Sequence, residues 1–373
     1  MTGERPPATI RPSFHDTLER RPVHFRPLEE GRAGLYTCGP TVYNHAHIGN
    51  LRTFLFEDLL RRALRHLGYR VTQVMNLTDV DDKIIAGAVA AGVGLEEFTA
   101  PYVESFFRDL DTLHVERAEH YPRATEHVPE MIALVERLVE RGHAYVTDDG
   151  SVFYDISSFP DYGKLSRIPL DEVRTGERVA DDNYEKGDAR DFALWKATKP
   201  VDAEVGAVWE GPVIDGKARP GRPGWHLECS AMSMSRLGET FDLHAGGEDL
   251  VFPHHEDEIA QSEGATGKPF VRCWLHARHL MMDTEKMSKS LGNVVGLKDV
   301  LERGYTPAVV RYLLISAHYR KELTFSWDAL DDARAALRRL ADFQDRLLET
   351  PAGDADAGLR EIADRGLAAF EAA

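Results

Sequence analysis

Three cysteines stand among 373 residues, and two of them come with other metal-binding side chains. Cys38 closes the run GLYTC, Cys229 lies in GWHLECS, and FPHHEDEIAQ supplies His254, His255, Glu256 and Glu258. On a helix, His254 and Glu258 lie four residues apart and share a face, so both can address one ion. Two thiolates, an imidazole and a carboxylate, from Cys38, Cys229, His254 and Glu258, suit zinc held tetrahedrally. A plainer arrangement fits the same residues, with both cysteines buried as small hydrophobes and the His/Glu run on a solvated helix face. Spacing leaves both open, because the four residues are far apart in the chain. Cys273, inside FVRCWLH, reads as a core residue.

A second constellation suits phosphate. In NHAHIGN, His45, His47 and Asn50 precede an amphipathic helix, whose first backbone N–H groups and dipole form an anion site. Downstream, EKMSKSLGN places Lys286 and Lys289 on a polar loop with Ser288 and Ser290, a set that can grip a polyphosphate as its charge redistributes. Neither a G-x-x-x-x-G-K-[ST] loop nor a well-placed G-x-G-x-x-G is present, so the usual nucleotide fingerprints lack support.

These groups need a scaffold. GLYTC reads as a strand, LRTFLFEDLLRRALRHLGY as a helix with an apolar stripe through Leu51, Phe54, Leu55, Leu59, Ala63 and Leu67, and YRVTQVMNL as a second strand. Gly68 is placed to end the helix. Strand, helix and strand in so short a stretch make a βαβ unit with a parallel sheet and a right-handed crossover. From about residue 114 to residue 220 the texture changes: the helix VPEMIALVERLVERGH, a hairpin in AYVTDDGSVFYDIS, then Gly- and Pro-dotted connections, as expected of an insertion dividing a sheet domain. The βαβ pattern returns at FDLHAGGEDLVF and VRCWLHARHLM, and beyond Gly304 the chain turns helical, with apolar residues at Ala333, Leu337, Leu340, Phe343 and Leu347.

Composition narrows the class. With 43% hydrophobic residues the chain can bury a sizeable core in two or three domains. The N-terminal MTGERPPATIRPS lacks a signal-peptide core, and no run approaches the ~20 apolar residues that span a bilayer. Three scattered cysteines do not make a disulfide framework, which predicts a soluble protein of the reducing cytoplasm. A net charge of −17 argues against chain-wide attraction to RNA, so any RNA contact needs a local basic face, for which RTFLFEDLLRRALRHLGYR and ARPGRPG offer positive charge.

Taken together, HIGN (47–50) and KMSKS (286–290) resemble the two ATP-binding signatures of class I aminoacyl-tRNA synthetases. CGPTVYNHAHIGN, NLTDVDDKI, PRATEH, DFALWK, GRPGWHLECSAM, FPHHEDEIAQSE and EKMSKSLGN narrow the match to cysteinyl-tRNA synthetase, over about residues 20–330. The resemblance implies an α/β fold: a Rossmann-like, doubly wound parallel sheet split by an α+β insertion and followed by a helical, bundle-type region. It divides the chain into a flexible tail (1–20), a first catalytic half (21–115), a connective insertion (116–220), a second catalytic half with the lysine loop (221–303), a stem-contacting linker (304–329) and the start of a tRNA-binding bundle (330–373), which would be incomplete.

The same resemblance implies the chemistry. One zinc per chain would be held by Cys38, Cys229, His254 and Glu258 and would select the thiol of cysteine, with Thr78 and Trp225 bordering the amino acid. ATP, entering with magnesium, would meet His47, Asn50, Lys286 and Lys289, with Gly246, Gly247 and Asp249 near the adenosine. The product would be cysteinyl-tRNA(Cys), made by a monomer. The first signature more often ends in His, and Asn50 can donate a hydrogen bond there without carrying charge. Two other readings share these residues: a paralogous ligase joining cysteine to an amino-sugar in thiol biosynthesis, which would dispense with tRNA, and a non-catalytic, synthetase-derived RNA-binding regulator, which should have lost its phosphate contacts.

Overall fold

The computed structural model describes residues 11–168, 191–282, 285–286, 294–349 and 357–372. GLYT belongs to β3 (Arg32–Thr37), which follows a hairpin of β1 (Ser13–Asp16) and β2 (Arg21–His24). Helix α1 (Ile48–His66) leads from β3 to β4 (Arg70–Met75), which pairs parallel with β3 from Arg32↔Arg70 to Thr37↔Met75. Gly68, at φ 96°, lies just past the end of α1.

The buried side of α1 carries Leu51, Phe54, Leu55, Phe56, Leu60 and Leu64, whereas Leu59 and Ala63 of the expected stripe face out. The stripe misleads because Arg52, Glu57, Asp58 and Arg61 are buried too, so charged residues interrupt the apolar period. Each arginine has internal partners: Arg61 donates to Glu119 (2.7 Å), Gln73 (3.2 Å) and the Arg117 carbonyl (2.8 Å). Arg222 of ARPGRPG is equally buried, so Arg52, Arg61 and Arg222 do not form the basic RNA face that their types suggested.

Helices α2 (Asp82–Ala91), α3 (Leu95–Thr112) and α4 (Val128–Glu140) lead into an antiparallel sheet of β5 (Ala144–Val146), β6 (Val152–Tyr154) and β7 (Phe192–Ala197). After the short α5 (Pro200–Glu204) and the two-residue strands β8 (Val213–Ile214) and β9 (Lys217–Ala218), β10 (Gly221–Pro223) completes that sheet beside β7. β10, just past residue 220, thus pairs with the antiparallel sheet and not with the parallel one. The antiparallel sheet is tied back to the catalytic half where Asp82 accepts from Lys196 (2.8 Å) and from Arg222.

The chain then returns through α6 (Trp225–Leu237), β11 (Phe241–Gly247), α7 (Glu256–Thr266) and β12 (Val271–Ala277). The central sheet has the order β12–β11–β3–β4 and is parallel throughout. Because β3 crosses to β4 and β11 crosses to β12 in opposite directions, right-handed crossovers put α1 and α7 on opposite faces. The core divides accordingly: Leu35, Leu243, Cys273 and Leu275 pack with Phe56, Leu60 and Leu64 of α1, while Tyr36, Phe241 and Trp274 join Ile259 and Ala260 of α7. Between β3 and β11 lies the switch point where such sheets open a crevice at their carboxyl ends.

A smaller sheet joins β13 (Leu280–Met282) to β14 (Glu285–Lys286) and to β15 (Leu323–Phe325), with α8 (Leu297–Glu302) and α9 (Pro307–Ile315) between. Helices α10 (Trp327–Glu349) and α11 (Ala357–Ala372) end the described chain; Leu330 and Ala333 are buried, whereas Leu340, Phe343 and Leu347 are exposed. Among the described residues no single helix is long and apolar enough to cross a membrane.

The N-terminal segment corrects one expectation. Residues 13–20, expected as tail, form the first strand and turn of the β1–β2 hairpin, which docks on β12: Thr17 N–H donates to the Trp274 carbonyl (2.9 Å), and the Asp16 carboxylate accepts from Trp274 N–H (3.2 Å) and Leu18 N–H (2.9 Å). Phe14 packs edge-on against Phe25, and Phe25 against Tyr69, which supplies the apolar anchor.

Candidate active site

A cavity of about 790 Å³ opens at the carboxyl ends of β3 and β11. Its wall includes Cys38, His47, Asn50, Trp225, Gly247 and Asp249. Cys38 follows β3 directly and its N–H donates to the Ala245 carbonyl of β11 (3.3 Å), which fixes the thiol at the floor of the crevice. Trp225 stacks on His254 with ring centroids 4.5 Å apart. Thr78 lies elsewhere: it is buried, its hydroxyl accepts from Asn76 Nδ2 (3.1 Å), and its backbone bonds to Pro40 and Val42, so it supports the CGPTV loop from beneath.

Beneath the floor, ligand atoms of Cys38, His254, His255 and Glu258 all lie within 4.8 Å of one another, and all four residues are buried. Cys229 adjoins this group and acts electrostatically on both Cys38 and His254. Three of the four sequence-derived ligands thus fall in one cluster, the fourth adjoins it, and His255 is added. Helix α7 makes this possible by opening with Glu256, Asp257 and Glu258, which its N-terminal dipole favours. Each turns to a different partner. Glu256 accepts from Ser166 N–H (2.7 Å) of the insertion, Asp257 accepts from the Tyr162 hydroxyl, and Glu258 meets His244 (2.9 Å) and His254 (3.0 Å).

The electrostatics suit a cation. Burial alone would push the Glu258 carboxyl up, but His244 and His254 outweigh it and hold the pKa down at about 2. Burial likewise opposes charge on His254, yet Cys229 and Glu258 raise it to about 10. For Cys229 burial is overcome by hydrogen bonds from Cys38 and His254, which bring the thiol down to about 6, while burial and the Cys229 thiolate push Cys38 up. Mutual attraction in the pocket thus favours negative charge on Glu258 and Cys229 and a proton on His254. A divalent ion could replace that proton and the Cys38 proton.

His255 continues a line of donors. Its Nε2 is 3.3 Å from Cys38 Sγ, its Nδ1 is 2.8 Å from His276 Nε2, and His276 Nδ1 is 2.7 Å from Thr17 Oγ1 in the N-terminal hairpin. His255 was named among the donors of FPHHEDEIAQ but left out of the ligand set, and His244 and His276, together with His226 beside His254 (2.9 Å between Nδ1 atoms), were not singled out from sequence. The signal was present: alternate residues of the apolar strands FDLHAGG and VRCWLHA share a face, and a histidine on that face is a buried polar group in need of a partner.

The phosphate half of the site is built on α1. His47 is its N-cap: His47 Nδ1 accepts from Asn50 N–H (3.1 Å), and Asn50 Oδ1 accepts from His47 N–H (3.2 Å). This reciprocal cap accounts for Asn50, whose amide oxygen accepts an N–H that a protonated imidazole could not. Gly49 is required between them, since a Cβ there would lie 2.9 Å from His47 Nδ1. A Cβ added to Gly246 would likewise lie 3.0 Å from the His255 ring. Asp249 faces His279 at 3.9 Å. Lys286 is placed on β14 opposite Met281, and Lys289 lies outside the described residues.

Residues 24–335 match the family model described as tRNA synthetases class I (C) catalytic domain. The chain is 53% identical over 335 residues to the cysteine--tRNA ligase of Chlamydia muridarum, covering 90% of this chain and 69% of that protein. It is 51% identical to that of Methanosarcina mazei, covering 89% and 69%. In fold it is similar to Mycobacterium tuberculosis methionyl-tRNA synthetase in complex with methionyl-adenylate, with a TM-score of 0.65 at 17% identity, over 91% of this chain and 79% of that one. The parallel sheet with its switch-point crevice, the catalytic-domain match and the relatives' identity agree that the chain belongs to the cysteinyl-tRNA synthetases, a family of class I aminoacyl-tRNA ligases.

Proposed function

We propose that this enzyme joins L-cysteine to tRNA(Cys) through a cysteinyl-adenylate, selecting the substrate thiol at a zinc ion held by Cys38, Cys229, His254 and Glu258. The observation that carries the reading is that a buried donor cluster, reached through Cys38, lies beneath the floor of the cleft that the N-terminus of α1 also lines. Zinc bound there supplies a soft Lewis acid that favours a thiolate over a hydroxyl. His255, hydrogen-bonded between Cys38 and His276, orients the cluster from behind.

In the first step a carboxylate oxygen of cysteine attacks the α-phosphorus of ATP, the bond to the bridging oxygen of the β-phosphate breaks, and pyrophosphate leaves with that electron pair. The residues need move no proton here, so their work is positioning and charge stabilisation. His47, Asn50 and the N-terminus of α1 orient the phosphates, Lys286 and Lys289 neutralise the leaving pyrophosphate, and Gly246, Gly247 and Asp249 border the adenosine. Trp225 closes the amino-acid side, and Thr78 holds the CGPTV loop. In the second step a terminal ribose hydroxyl of tRNA attacks the activated carbonyl, loses its proton and releases AMP. ATP enters with magnesium. A monomer in the cytoplasm is the setting this reading implies.

The test is cysteine-dependent ATP–pyrophosphate exchange followed by charging of tRNA(Cys). Both are expected. Exchange without charging, accompanied by ligation of cysteine to an amino-sugar, would replace the assignment.

A further inference from the structure

Arg52 lies two residues beyond Asn50 on α1 and is only 3% exposed. Its guanidinium donates through Nη1 to the His279 carbonyl and through Nη2 to the Lys321 carbonyl. These are the approaches to two parallel strands: β13 begins at Leu280 and β15 at Leu323, where the two are paired. β13 in turn pairs with β14, which carries Lys286 at its end. The lysine loop thus leaves from a sheet whose two parallel strands are clasped by one side chain of the helix that bears His47 and Asn50. Its far flank is held to the same helix, since Ile48 N–H donates to the Val295 carbonyl (3.0 Å) and His47 bridges to Gly296.

A planar guanidinium reaches two carbonyls at a fixed angle, which an ammonium cannot do. We infer that Arg52 is a positioning residue for the adenylate-forming step: it sets the register of the lysine-bearing sheet against the N-terminus of α1. The inference rests on the assignment of Lys286 and Lys289 to pyrophosphate. Arg52 is not part of the cavity wall and stands outside the buried donor cluster.

The experiment compares wild-type enzyme with Arg52→Lys and Arg52→Ala in ATP–pyrophosphate exchange, titrating cysteine and ATP separately and measuring zinc content. A misplacement near 1 Å costs about 10²-fold in rate, so kcat should fall roughly 10- to 100-fold in Arg52→Ala. Arg52→Lys should recover only part of it, with cysteine KM within about twofold of wild type and zinc content unchanged. Should Arg52→Ala not fold, Arg52→Lys decides. An Arg52→Lys enzyme with wild-type kcat overturns the inference, as does a loss that appears in cysteine KM or zinc content instead of kcat. Absence of cysteine-dependent exchange in the wild type would instead overturn the functional assignment on which the inference rests.

Discussion

Gly39 separates Cys38 from Pro40 at the floor of the cleft, and a methyl group there meets the backbone. An ideal Cβ on Gly39 would lie 1.8 Å from the Asn76 carbonyl oxygen and 3.0 Å from both its carbonyl carbon and Met75 Cγ. Asn76 cannot swing away, because its own side chain accepts from Gly39 N–H at 2.9 Å. Restoring ordinary packing in Gly39→Ala requires a shift of about 1.6 Å between the two segments. Overpacking of this kind costs about 1–3 kcal/mol of stability. The larger effect should be on function, because the shift is applied next to Cys38, and a displacement near 1 Å lowers rates by about 10²-fold. Gly92→Ala is the matched control: Gly92 has φ 68° but nothing within 4 Å of an added Cβ, so it should cost about 1 kcal/mol and leave the rate alone. Exchange kinetics beside thermal melting separate the two. A Gly39→Ala enzyme with a wild-type rate would refute the claim that this backbone contact holds Cys38 in place.

Trp225→Ala removes the ring stacked on His254, and a stacked pair contributes about 0.5–1.5 kcal/mol; cysteine KM should rise roughly 2- to 10-fold with ATP KM unchanged, as substrate titrations will show. Asp82→Asn removes the carboxylate shared by buried Lys196 and Arg222; because Asp82 itself is 44% exposed, the expected loss is about 1–2 kcal/mol, measured by urea unfolding. Burial opposes that carboxyl's charge but Lys196 and Arg222 outweigh it and lower its pKa, so this stability is present above the ordinary Asp value and is lost as pH falls through the lowered one; the destabilisation by Asp82→Asn should therefore shrink as pH falls, flattening the acid side of the stability profile. Zinc affinity should fall with decreasing pH, since the Cys38 thiol and the His254 imidazolium must lose protons to bind it; chelator competition at two pH values checks this, and a flat response would exclude them as ligands.

Motif order and βαβ texture were enough to read the parallel sheet and its insertion, because buried parallel strands write near-continuous apolar runs such as FDLHAGG. The donor residues were legible for the same reason: soft side chains are uncommon at strand ends, and His254 and Glu258 keep helical spacing. Three things were not legible. The face of α1 was misread because Arg52, Glu57, Asp58 and Arg61 are buried with partners that lie far along the chain. The N-terminal hairpin was hidden because its anchor, Trp274, lies more than two hundred residues downstream. The reciprocal cap of His47 and Asn50 has capping-box spacing but uses residue types outside the usual Ser/Thr and Glu/Gln pair, and the line from Cys38 through His255 to His276 depends on contacts that spacing does not encode.

The central claim is that a metal on the buried cluster, and not the shape of the pocket, selects cysteine. Pocket shape alone separates such close analogues by only about 10²-fold. The most direct measurement is the ratio of cysteine- to serine-dependent exchange, expressed as kcat/KM, for the zinc-loaded enzyme and for Cys229→Ala. A ratio above about 10⁴ in the loaded enzyme that collapses toward 10² in the variant, together with loss of zinc, is the result expected. An enzyme stripped of zinc that still prefers cysteine by the full ratio would contradict it.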